Sequence, residues 1–209
     1  MDKMNLHPMN LNRSDFGRPE NKGNVLTLEK AFELLKRWVH NEKLIVHMKQ
    51  VGHLMKKYAA SNGYSEEDQY RWYLAGLLHD ADWEKWPESH CKMIIEELER
   101  RDVDPEIIRA IASHGPKYFG VEPITEMDKL LYAFDELSGL VHAYSLMRPE
   151  GYIGMEVKGV KKRLKDKTFA AQVSREDIAD ASEKAGIEQD TLIEFVINHQ
   201  IDALKDFED

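Results

Sequence analysis

The chain has 209 residues, 42% hydrophobic and 32% charged, enough to bury a sizeable core without covalent staples. One cysteine, Cys91, excludes an internal disulfide and fits a reducing, cytoplasmic setting. The formal net charge of −9 argues against nucleic acid as a partner, and no run approaches the roughly 18 apolar residues of a membrane span.

Residues 1–24 are polar and lack periodicity, so they read as a flexible N-terminal arm, with a helical domain over 25–209. Strand signals are nearly absent, and helix signals recur. Thr27 caps a predicted helix to about His40, and Asn41 caps the next, with Leu44, Met48, Val51, Met55 and Tyr58 at helical spacing. Asn62-Gly63 breaks the chain. Ser65 with Asp68 opens a third helix that ends near Asp80. Pro87 disfavours helix at Trp86, and Ser89 is the expected cap of a helix carrying Ile94, Ile95 and Leu98.

Asp104-Pro105 starts another helix, which stops at Gly115-Pro116. Thr125 with Asp128 opens a long one through about Leu146. After a loop at 148–151 come a basic stretch (158–167), a short helix near 168–172, a helix capped by Ser174, and a last helix from about Glu188 to Lys205. The expected fold is all-α, a compact multi-helix bundle.

Residues three, four and seven apart share a helix face. His47 then lies on the apolar stripe of Leu44 and Val51, and His114 on that of Ile107 and Ile111. His90 falls four before Ile94, and Asp135 four after Leu131. The segment Leu74–Leu78 is apolar on every side, so His79 and Asp80 extend from a buried helix. An unpaired buried carboxylate costs several kcal/mol, and few basic partners share these stripes. A divalent metal is the simplest common partner for neutral imidazole and ionised carboxylate. Of the other histidines, His53 is about 180° from Leu44 and is expected to face water, while His7, His40 and His199 show no convergence. His142 lies seven after Asp135, either supporting a ligand carboxylate or packed in the core.

This pattern, His47, then His79-Asp80, then Asp135, resembles the H…HD…D signature of the HD-domain metal-dependent phosphohydrolase superfamily. The phrases AGLLHDADWEKWPESH, IIRAIASHG and LLYAFDELSGLV are similar to the bacterial HDIG-type hydrolases, and the likeness runs over roughly residues 28–205. The resemblance implies an all-α HD-domain bundle with a metal site at its centre. It implies that His47, His79, Asp80 and Asp135 hold one ion, that His90 and His114 hold a second, and that Asp80 bridges them. One or two divalent transition metals (manganese, iron, cobalt, nickel or zinc) suit such a shell.

The chemistry so implied is metal-dependent hydrolysis of a phosphomonoester or phosphodiester by a metal-activated water. The substrate is a nucleotide or another small phosphorylated metabolite. Beside Asp80, Asp82 and Glu84 are candidates to orient a ligand histidine or accept a proton; the alternative is a solvated loop. Lys158, Lys161, Lys162 and Arg163 in the basic stretch, and Lys117 after His114, are candidates to clamp phosphate, against a plain solvated face. Trp83, Trp86 and Tyr118 are rim or core aromatics that could stack on a base. Related scaffolds also house di-iron oxygenases, and a non-catalytic nucleotide sensor is a third class. Association into a homo-oligomer stays open.

Overall fold

The computed structural model describes residues 23–204, and every described segment of regular structure is helical apart from one isolated bridge. Among the described residues the ten α-helices are α1 (Leu28–Trp38), α2 (Glu42–Ser61), α3 (Glu66–Leu78), α4 (Lys92–Arg100), α5 (Pro105–Ser113), α6 (Pro116–Phe119), α7 (Glu126–Ser145), α8 (Val157–Lys165), α9 (Arg175–Ala185) and α10 (Gln189–Gln200). Short 3₁₀ turns occupy Pro87–Ser89 and Ile201–Leu204. No described helix is long and apolar enough to cross a membrane.

Most helix starts follow their caps. The side chains of Thr27, Asn41, Ser65, Asp104 and Ser174 each accept an amide of the first turn they precede. Thr125 and Asp128 form a reciprocal capping box at α7. Gly63 and Gly186 follow helix ends with φ of 76° and 66°, a region open to glycine at no steric cost.

The bundle is organised around α2 and α7. Every residue from Gln50 to Met55 of α2 is buried, because α3, α7, α10 and the final 3₁₀ turn surround that helix. This corrects the outward position expected for His53, which is buried: the stripe argument assumes one solvent face, and a central helix has none. The tightest crossing is between α2 and α3. A β-carbon on Gly76 would come within 2.7 Å of the Gly52 Cα and N. Two glycines therefore let the backbones touch, within about a turn and a half of His47 and His79.

Three further expectations change. Ser89 sits in the 3₁₀ turn and does not cap α4; the N-cap is Cys91, which makes no side-chain cap bond. The basic stretch is itself helix α8, whereas residues 168–172 are turns. The arm expected over 1–24 lies, for residues 1–22 and with it His7, outside the described residues. Its last residue, Asn24, pairs with Val103: its amide donates to the Asp102 carbonyl and its carbonyl accepts from the Asp104 amide.

Candidate metal centre

Six side chains from distant parts of the chain converge at the middle of the bundle. His47 comes from α2 and Asp135 from the centre of α7. His79 ends α3 and His114 ends α5, each at the C-cap position. Asp80 follows His79, and His90 lies between the Pro87–Ser89 turn and α4. The donor atoms form two groups, His47/His79/Asp80/Asp135 and Asp80/His90/His114, each within 4.8 Å of one another.

Local bonding orients all four rings alike. His79 Nδ1 donates to the Gly76 carbonyl at 2.7 Å, and His114 Nδ1 to the Ile111 carbonyl. These are carbonyls of a helix's last turn, so the helix ends themselves fix the tautomer. His90 Nδ1 donates to Asp82 Oδ1 at 2.8 Å. The Ser138 hydroxyl donates to the Asp135 carbonyl and so accepts from His47 Nδ1 at 3.4 Å. Every Nε2 is thereby left to the interior.

Asp80 divides its oxygens between the groups. Oδ2 is 3.5 Å from His79 Nε2 and 3.8 Å from His47 Nε2. Oδ1 is 3.3 Å from His90 Nε2 and 3.6 Å from His114 Nε2. Asp135 Oδ1 lies 3.1 Å from His47 Nε2 and 3.4 Å from His79 Nε2. The ring edges are close as well, with the His47 and His79 centroids 5.2 Å apart.

The electrostatics describe a site that wants positive charge. Burial opposes charge on His79, but Asp80 and Asp135 outweigh it and raise its pKa. Burial likewise opposes charge on His90, yet Asp80 and Asp82 push its pKa to about 9. Burial acts against the Asp80 carboxylate too, and His79, His114 and His90 still hold it well below the usual range. His114 goes the other way: burial lowers its pKa and the nearby Asp80 carboxylate only partly offsets that. His79 Nε2 and Asp80 Oδ1 are buried without any hydrogen bond. Orphaned buried polar atoms in a His/carboxylate shell fit a divalent ion.

Asp82 and Glu84 do not lie in a solvated loop. Asp82 is fully buried beside His90 and accepts from the Cys91 amide at 3.2 Å and the Ile94 amide at 2.9 Å. Glu84 turns away to the α1–α2 junction, accepting from the His40 and Asn41 amides at 2.9 and 2.8 Å. Both carboxylates are engaged by backbone donors, and Asp82 also meets His90 Nδ1, the orienting contact weighed for it. His142 is not bonded to a ligand carboxylate either. Its Nδ1 lies 2.9 Å from the Tyr152 hydroxyl and 3.1 Å from Gln50 Nε2, and burial followed by the nearby His47 lowers its pKa.

A small cavity beside His90 and His114 is lined by Trp83, Tyr118, Phe119, Tyr132, Glu136 and Asp177. It has about 10 Å³ of room, near the space of one water molecule. Trp83 packs edge-on against His90 with centroids 4.7 Å apart, and Trp86 packs against Trp38. Lys117 reaches the cavity's edge, 2.8 Å from Asp177 Oδ1. The α8 cations are placed elsewhere. Lys158, Lys161 and Lys162 line a separate open groove with Glu156 and Asp190, and Lys161 pairs with Asp190 at 2.7 Å. Arg163 lies over the rings of Tyr144 and Phe169. This placement agrees with the solvated face weighed for the basic stretch more than with a phosphate clamp at the six donors. The Gly52–Gly76 contact and the Asp82 cap carried no signal in helical periodicity; the two glycines inside otherwise strong helices were the available clue.

An all-helical bundle with two converging His/Asp groups has the donor set of a divalent-metal centre. Residues 44–140 match the family model described as HD domain, and all six donors fall within that span. Over that segment the chain is similar to the HD domain, a family whose members are mostly metal-dependent hydrolases. Comparison with curated proteins and with solved structures gave no match.

Proposed function

We propose that this chain is a metal-dependent phosphoric ester hydrolase acting on a nucleotide or another small phosphorylated metabolite. The single observation that supports this most strongly is the division of Asp80 between two donor groups. Such a shell suits a pair of divalent transition ions, and when bound they supply Lewis acidity and an acidified water. His47, His79 and Asp135 would hold one ion, His90 and His114 the other, with Asp80 shared.

The chain's own residues set the conditions for that chemistry. The buried shell around His79, His90 and His114 keeps the centre dry, which strengthens interaction with an ester's negative charge. The four Nδ1 bonds keep the imidazoles neutral donors aimed inward once protons are displaced. Lys117, paired with Asp177 at the cavity's edge, is the basic candidate best placed to meet a substrate phosphate. Trp83 and Tyr118 bound the same side.

Elemental analysis of protein purified without chelators, followed by a phosphatase and phosphodiesterase screen over a nucleotide panel, tests the proposal. Phosphate or nucleoside release under anaerobic conditions, dependent on the bound metal, is the expected result. Absence of hydrolysis with each of manganese, iron, cobalt, nickel and zinc would overturn it.

A further inference from the structure

We propose that Asp82 is the positioning residue for the His90/His114 half of the metal centre, holding His90 through the same carboxylate that begins α4. The inference rests on the reading of His90 as a metal ligand and goes beyond it.

Asp82 has both oxygens committed. Oδ1 accepts from His90 Nδ1 at 2.8 Å and from the Cys91 amide at 3.2 Å. Oδ2 accepts from the Ile94 amide at 2.9 Å. These amides belong to the first turn of a helix whose own N-cap offers nothing, because the Cys91 thiol donates to the Ile111 carbonyl instead. A carboxylate at a helix N-terminus satisfies orphan amides and meets the positive end of the helix dipole. Cys91 holds a φ of 71°, a left-handed conformation rare for a residue with a β-carbon. Such a backbone persists where its surroundings dictate it, and the bond from its amide to Asp82 is one of those constraints.

The consequence for His90 is directional. Trp83 and Phe119 pack edge-on against the ring at 4.7 and 5.2 Å, which confines its plane. Packing cannot choose between the two ring nitrogens. Asp82 does so by accepting the Nδ1 proton, which leaves Nε2 3.3 Å from both Asp80 Oδ1 and His114 Nε2. An asparagine in its place would put an NH₂ against either the imidazole N–H or the Ile94 amide, donor against donor.

The test uses the full-length chain with Mn²⁺ as probe, by calorimetric titration and elemental analysis. Wild type, Asp82→Asn, His90→Ala and the double variant are compared, with folding checked by circular dichroism. Asp82→Asn is expected to weaken one of two Mn²⁺ sites by about 10–100-fold and to leave the other unchanged. In the His90→Ala background the same change is expected to alter Mn²⁺ affinity by less than about twofold, which a general loss of structure would not produce. Two sites of wild-type affinity in folded Asp82→Asn would overturn the inference alone; failure of the wild type to take up any of manganese, iron, cobalt, nickel and zinc would overturn the hydrolase reading with it. Nitrogen NMR of Zn²⁺-loaded wild type supplies a second measurement that needs no Asp82 variant. The His90 ring is expected as the Nδ1–H tautomer, and an Nε2–H ring would refute the role of Asp82.

Discussion

His90 and His114 face each other with their Nε2 atoms 3.3 Å apart and Asp80 Oδ1 within 3.6 Å of both. Two imidazoles oriented by outward Nδ1 bonds leave only inward lone pairs, or protons that repel, between them. His114→Ala is therefore expected to remove one ion per chain and leave the His47/His79/Asp135 group loaded. Asp80→Ala and His79→Ala should lose metal and more than about 100-fold in turnover, taking the cost of outer-shell loss as a floor. Metal content by elemental analysis beside kcat checks each; full activity in Asp80→Ala would end the assignment.

Binding should depend on pH with a defined sign. His90 titrates near 9 in the metal-free chain, and His79 is also raised. Metal requires the neutral ring, so each ion displaces protons below that pH. Apparent Mn²⁺ affinity should rise from about pH 6.5 to 9, by roughly tenfold per unit for each proton released. Calorimetry in buffers of different ionisation enthalpy counts the protons, and a flat profile over this window would contradict the site's electrostatics.

The metal-free protein should show the opposite trend in stability. A His pKa raised on folding stabilises fully below its unfolded value, near 6.5, and the contribution disappears as pH rises through about 9. Thermal unfolding with chelator present should therefore fall in midpoint across that range, by about 2–4 °C for each kcal/mol lost. Saturating metal should abolish or reverse the decline.

Glu84→Ala tests a carboxylate that sits next to the centre in sequence and away from it in space. Loss of its bonds to the His40 and Asn41 amides should cost about 1 kcal/mol, as for other capping side chains. Denaturant unfolding measures this, and turnover per folded molecule should stay within about twofold. A much larger loss of kcat would return Glu84 to the chemistry.

Gly76→Ala should destabilise by about 1–3 kcal/mol, the range for overpacking a core. Its new methyl would meet the α2 backbone at 2.7 Å, so the helices must separate. Because His47 and His79 sit within about a turn and a half of this contact, metal affinity should fall with stability. Unfolding midpoints and Mn²⁺ titration on the same samples check both effects.

The fold was largely legible because its signals are local. Caps at Thr27, Asn41, Ser65, Asp104, Thr125 and Ser174 act over three residues, and the helices begin where they predict. Ser89 failed because a distant carboxylate, Asp82, took over the capping of α4. His53 failed because a helix surrounded by others has no outward stripe. The convergence of His47, His79, Asp80, His90, His114 and Asp135 was legible from polar groups on apolar faces, strengthened by the H…HD…D resemblance. The α8 lysines show the limit of composition: a cluster of charge says nothing about where its helix docks.

Chain order and side-chain chemistry alone determined that this protein is helical and that its interior holds imidazoles and carboxylates needing a common positive partner. Those are consequences of spacing within single helices and of the cost of burying charge. Which atoms meet was decided by packing: Gly52 against Gly76 sets the distance between two ligand-bearing helices, and α3 and α5 end where their last carbonyls can orient His79 and His114. Periodicity fixes a direction around one axis, and only the docking of several axes turns directions into distances.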